Sequence, residues 1–177
     1  YFFLIKKIII MEDNGGPMQL EQSYTFSFTY FKKKKNKQLE EFEDNFNTIA
    51  TFSTAEDFWT IYEHTKKPST LPRGSQFFLF KENIKPMWED PKNQNGGRYV
   101  LSLKKSENCD KIWEELLINY IRTKPNFKVN GIVLNIRTAE IIFSVWIEKC
   151  NNIMKDCVKE WIKNTLDLPN TLCLLYK

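Results

Sequence analysis

The stretch Lys128–Trp146, KVNGIVLNIRTAEIIFSVW, decides the fold. Lys128–Arg137 and Ile141–Trp146 are two runs rich in β-branched and aromatic residues, separated only by Thr138–Glu140, the signature of a β-hairpin. An antiparallel sheet must therefore lie at the centre. Upstream, Tyr24–Lys32 alternates aromatic with small polar residues (Tyr24, Phe26, Phe28, Tyr30), the period-two pattern of a half-buried strand, and the lysine run Lys32–Lys37 ends it. Gln76–Phe80 and Arg98–Leu103 read as two more strands, joined by a long loop over Pro86–Gly97, and Leu172–Tyr176 as the last. Three segments carry helical spacing instead. Ser53 and Glu56 give a capping signal for a helix over about Thr54–Thr65, stopped by the loop Pro68–Gly74. Ile112, Trp113, Leu116, Leu117 and Tyr120 form one face of a second helix, and Ile153–Leu166 a third that ends before Pro169. Helices stand between groups of strands rather than after each one, which predicts an α+β fold with helices on one face of an antiparallel sheet.

Composition narrows the function. The 177 residues suit one domain, and 42% hydrophobic with 27% charged residues is ordinary globular usage. Aromatic residues are in excess at 15%, more than a core of this size calls for, so some of them are candidates for stacking surfaces. The net charge of +4 is too small for coating nucleic acid through many phosphates but leaves room for a local phosphate site. The apolar run Tyr1–Ile10 is broken by Lys6 and Lys7 and is short of the roughly 20 residues that span a bilayer. Met11, Glu12, Asp13 and Asn14 follow it, not a small-residue cleavage site. Residues 1–23 are expected to be a poorly ordered N-terminal tail, 24–177 a single domain, and no membrane contact is expected. Cys109, Cys150, Cys157 and Cys173 lack C-x-x-C pairing, and a single His64 cannot complete a zinc set, so no metal or cofactor is expected and the thiols suit a reducing cytoplasm. No nucleophile elbow, phosphate-cradling glycine loop or H-E-x-x-H occurs, which points away from an enzyme. His64 falls at a helix C-terminus, where a capping role suffices.

The loop Ile84–Asp90, I-K-P-M-W-E-D, groups an indole with two carboxylates, a set that can offer a flat ligand an aromatic face, a backbone donor and an acidic acceptor. With F-x-T-x-E-D-F-W-x-x-Y-x-H (Phe52–His64), L-F-K-x-x-I-x-P-M-W-E-D (Leu79–Asp90), G-G-R (Gly96–Arg98) and N-x-R followed by a strand ending in Trp (Asn135–Trp146), the chain resembles the initiation factor 4E family, which binds the 7-methylguanosine cap of messenger RNA. The resemblance runs from about Tyr24 to the last residue. It implies a curved antiparallel sheet of about eight strands with three helices on the convex face. It assigns the two cap-stacking faces to Phe42 and Trp88, guanine recognition to Glu89, contact with the N7-methyl group to Trp146, and the phosphates to Arg98 and Arg137. The chemistry is coherent: a cation between aromatic rings gains about 2 kcal/mol or more when desolvated, and a guanidinium makes paired hydrogen bonds to phosphate. Two lysines that the family carries after Arg137 correspond here to Ala139 and Ile142. If Phe42 is not the second stacking face, Phe46 and Tyr24 are the next candidates.

Trp59 and Glu56 resemble the family's convex-face pair that docks a helical Tyr-x-x-x-x-Leu-hydrophobic partner, which requires Trp59 to be exposed on the first helix. The plain alternative is a packing tryptophan. Tyr24, Phe42 and Tyr99, where the ordinary factor has Trp, and Glu114 after Trp113, where it has Leu, make the chain most similar to the 4E-homologous class. The resemblance implies a monomer that binds capped messenger RNA and controls translation initiation, by recruitment or by repression. A family member that has lost cap binding and acts as an interaction scaffold is the alternative.

Overall fold

A computed structural model of the chain describes residues 16–30, 46–105, 108–122, 128–168 and 174–177. The expected hairpin lies at the heart of it. Strands β1 (Gln19–Tyr30), β2 (Asn47–Thr54), β3 (Ser75–Lys81), β4 (Gly97–Lys104), β5 (Val129–Ile136), β6 (Glu140–Ile147) and β7 (Leu175–Tyr176) form one curved sheet in the order β2-β1-β3-β5-β6-β4-β7. Every pairing is antiparallel, with Leu134 opposite Phe143 in the hairpin and Leu101 opposite Phe143 on its other side. Among the described residues the strands number seven, against an expectation of about eight. Helices α1 (Ala55–Glu63), α2 (Cys109–Arg122) and α3 (Asn152–Thr165) cover the convex face.

Strand periodicity divides the sheet residues between two faces. Phe77, Leu79, Ile132, Leu134, Ile141, Phe143 and Val145 join the helix residues Trp113, Leu117, Val158 and Ile162 in the main core. Burying each such side chain contributes about 1.5 to 3 kcal/mol, and this face holds the domain together. Their alternates Phe78, Phe80, Val133 and Trp146 form a small separate cluster on the opposite, helix-free face. Pocket-facing residues thus come from alternate positions of the same strands that build the core.

Several boundaries shift for physical reasons. β1 starts at Gln19, five residues before the aromatic alternation, because its first residues are tied to α1: Ala55 N–H donates to Met18 C=O at 3.0 Å, and the Glu56 carboxylate accepts from Met18 N–H at 3.0 Å. The helix cap is Thr54, whose hydroxyl accepts from Asp57 N–H at 3.1 Å, one residue later than the Ser53–Glu56 signal. That frees Glu56 for Met18. β2 was hidden because its last residues, Phe52–Thr54, coincide with the capping signal.

The expected exposure of Trp59 is corrected. Its side chain is 1% exposed, with ring contacts to Phe58 at 5.2 Å and Tyr62 at 6.0 Å. Within the nine residues of α1, Ala55, Phe58 and Trp59 are all turned into the core, and Tyr62 is the half-buried aromatic residue at its edge. The packing alternative holds for the isolated chain.

Candidate functional site

The loop between β3 and β4 carries the indole, and four short polar residues hold it in place. The chain leaves β3 through Glu82, whose N–H donates to Ser23 C=O at 2.9 Å, and turns at Asn83 with φ 67°, a left-handed conformation that asparagine tolerates. Asp90 then accepts from the backbone N–H groups of Lys85 and Lys92, both at 2.8 Å, which closes the loop on itself. Asn93, 1% exposed, donates from Nδ2 to the carbonyls of Lys85 and Met87 at 2.9 Å. Asn130, fully buried, donates to Lys92 C=O and to Asn93 Oδ1 at 2.9 Å, anchoring the loop to β5 at a bulge in its pairing with β6. These bonds lie among buried groups, where losing a partner costs about 1 to 3 kcal/mol. The loop is therefore set before any ligand arrives, with Trp88 (41% exposed) and Glu89 at its tip.

Beneath the tip lies Trp146 of β6, 5% exposed. Gly131 of β5 stands opposite both Phe80 and Trp146, and a Cβ there would collide with the Phe80 ring. The missing side chain lets Phe80 lie over the strand and meet Trp146 edge-on, centroids 5.9 Å apart at 67°. Trp88 in turn packs on Trp146 at 4.2 Å and 36°, and the Arg98 guanidinium lies 5.4 Å from each indole centroid, within cation-π range.

Trp88, Trp146 and Arg98 line one cavity of about 700 Å³ on the helix-free face. Trp88, Glu89 and Met87 form one end, Val133, Ser144 and Val100 the floor, and Gln76, Asn135 and Arg137 the far end. Two donors on its walls have no protein partner among the described residues: Arg98 Nε and Trp146 Nε1. Burial also pushes the Arg98 guanidinium below its ordinary pKa, so its charge is costly there without a counter-anion. A cavity with an indole edge, a carboxylate and an unsatisfied cationic donor can take a flat base at one end and an anion beside it.

The structure brings Trp88, Glu89, Arg98, Arg137 and Trp146 together in this cavity, and places Ile142 in its wall. Phe42 lies outside the described residues. Of the alternatives, Tyr24 faces the covered core and is excluded as a stacking face. Phe46 lies on the open face, its ring 5.4 Å from Phe78 beside a smaller cavity of about 290 Å³. Trp59 and Glu56 sit in α1 on the covered face, apart from this cavity. Among the described residues no group of three His, Cys, Asp or Glu side chains could hold a metal. Sequence reasoning missed the Asp90, Asn93 and Asn130 network, Gly131 and Lys177. Asn130-Gly131 inside an otherwise apolar strand was the available sign, since such a pair marks a bulge or a close approach.

Residues 19–177 match the model of the family described as eukaryotic initiation factor 4E. The wheat (Triticum aestivum) "eukaryotic translation initiation factor NCBP" is 36% identical over 153 residues, covering 84% of this chain and 65% of the wheat protein, so the chain spans just under two thirds of that relative. Among solved structures, Ascaris suum eIF4E-3 in complex with an m2,2,7G cap superposes with a TM-score of 0.82 at 28% identity, covering 92% of this chain and 91% of the other. Caenorhabditis elegans eIF4E-3, in complex with the 4E-binding protein Mextli and a cap analogue, gives 0.81 at 29% identity and covers 92% of each chain.

Proposed function

The chain belongs to the eukaryotic initiation factor 4E family, and from that premise we propose that it binds the 7-methylguanosine cap of messenger RNA and controls the initiation of translation in the cytoplasm. The observation that carries this is the joint placement of Trp88, Glu89, Arg98 and Trp146 in one cavity. The partly exposed Trp88 ring offers guanine a stacking face, worth about 1 to 3 kcal/mol per base. Methylation at N7 makes the base cationic, which adds attraction to the ring. Glu89 accepts from guanine N1–H and N2–H, the Trp88 backbone N–H donates to O6, and adenine would leave these groups unpaired. Trp146 meets the methyl group. The phosphates then run along the wall toward Arg98 and Arg137, where an anion offsets the burial cost of the Arg98 charge. Phe42 supplies the second stacking face in this proposal, the binding domain takes in all of β1 and so starts at Gln19 and not at residue 24, and the protein acts as a monomer by binding rather than turnover.

Quenching of tryptophan fluorescence by m7GTP and by GTP tests it. Tighter binding of m7GTP is expected. Equal affinity for the two nucleotides would overturn it and leave the scaffold alternative.

The proposal extends to a helical Tyr-x-x-x-x-Leu-hydrophobic partner at α1, supported by the Mextli complex of the nematode relative. Because Glu56 is already bonded to Met18, such a helix must displace the segment at Met18 to engage Glu56, and it must uncover the buried Trp59 as well. Peptide binding should then lower amide protection over Met18–Leu20. Unchanged protection would place the partner elsewhere.

A further inference from the structure

Lys177, which none of the sequence motifs singles out, lines the same cavity as Trp88 and Arg98. We propose that it is a third cation of the anion wall and takes a phosphate of a di- or triphosphate on the side of Arg98 away from Arg137, an inference that rests on the cap-binding reading above.

Position comes from the shortest strand in the sheet. Arg98 N–H donates to Lys177 C=O at 2.9 Å and Lys177 N–H donates to Arg98 C=O at 3.0 Å. Two residues that exchange both bonds are directly opposite, with Cα atoms about 5.5 Å apart and side chains on one face. The preceding residue fixes which face. Tyr176 is opposite Tyr99, rings 5.2 Å apart, and Lys155 Nζ lies 4.3 Å from the Tyr176 centroid. Gly97 makes that seat possible, because a Cβ there would strike the Tyr176 phenol. With Tyr176 held on the Tyr99 side, Lys177 is held on the side of Arg98.

Charge gives the function. Like charges directly opposite one another on a sheet are destabilising, and no ion pair joins Arg98, Arg137 or Lys177 to a carboxylate among the described residues. An anion between Arg98 and Lys177 removes that repulsion and satisfies Arg98 Nε. In the order β5-β6-β4-β7 Arg98 stands laterally between Arg137 and Lys177, and the register, with Arg98 opposite Trp146 and Arg137 bonded to Glu140, sets Arg137 toward the far end of the strands, so the three cations are spread diagonally over the wall. That spread suits a chain of phosphates better than one phosphate. It also supplies charge in a wall where Ile142 provides none.

The test compares the full chain with Lys177→Ala and Lys177→Arg, titrated with m7GMP and m7GTP at two salt concentrations. Lys177→Ala should weaken m7GTP binding about 3- to 10-fold, leave m7GMP within about twofold and flatten the salt dependence, while Lys177→Arg keeps wild-type behaviour. Unchanged m7GTP affinity overturns the assignment. Equal loss for both nucleotides also overturns it, because the residue then acts only by holding the sheet edge. If wild type fails to prefer m7GMP over GMP, the cap reading itself fails and this inference with it, a result distinct from either of the others.

Discussion

Phe77 and Leu79 point from β3 into the helix-covered core, while their neighbours Phe78 and Phe80 point to the opposite face, where no helix lies. Both pairs are equally apolar and nearly equally buried, yet they are buried by different means. On the covered face, rings such as Tyr24, Phe52 and Trp113 are surrounded by other core side chains, and the arrangement serves stability. On the open face a cluster of four buried residues is roofed by a loop held by asparagine and aspartate, and two donors beside it lack protein partners. A surface selected for stability alone would be close-packed and leave no such cavity. Aromatic content therefore has two meanings in one sheet, and the open cavity tells them apart, since a buried polar group without a partner, the Tyr120 hydroxyl, also occurs on the covered face.

The strongest way to sharpen that contrast is Trp59→Ala. On the covered face it should lower stability by about 3 to 5 kcal/mol, read as a fall in Tm and in denaturation midpoint, with cap and partner binding lost together. Loss of partner binding with Tm unchanged would break the contrast by returning Trp59 to the surface. Trp88→Ala on the open face should do the reverse, lowering m7GTP affinity by up to about 3 kcal/mol in a fluorescence or calorimetric titration while Tm stays near wild type. Glu89→Ala should cost about 1 to 2 kcal/mol and narrow the gap between m7GTP and m7ATP, since only the guanine donors lose their acceptor. Smallest is Ile142→Lys, which adds a cation to the cavity wall. It should strengthen m7GTP binding by about 0.5 kcal/mol at low salt, with the gain fading as salt rises.

The sequence announced the covered face more completely than the open one. Helical and strand periodicity located all three helices and the central hairpin, because burial against a core imposes a regular pattern. On the open face the loop sequence itself pointed to Trp88 and Glu89, and the family resemblance added Arg98, Arg137 and Trp146. Asp90 read as one of two carboxylates open to a ligand and Asn93 was not singled out, whereas the fold turns Asp90 onto the N–H groups of Lys85 and Lys92 and brings Asn130 against Asn93. Lys177 could not be placed at all, since its position depends on pairing with a strand 79 residues earlier, from Arg98 to Lys177, and no local pattern encodes such a pairing. Trp59 failed for the opposite reason. A motif gave it a role, whereas its exposure depends on what packs around a nine-residue helix.

The strand order also imposes a schedule on the molecule. β4 finds its hydrogen-bonded neighbours in β6 and β7, both made later, and β3 must wait for β5. The loop bearing Trp88 and the strand bearing Arg98 therefore leave the ribosome before Trp146 exists to pack against them. Such long-range antiparallel closure is slow compared with local helix formation. Until β5 and β6 arrive, the Phe78 and Phe80 edge of β3 is unpaired and apolar, a nascent surface on which a chaperone would act. Ligand binding is thus a property acquired late in synthesis, when the hairpin joins the two halves of the sheet.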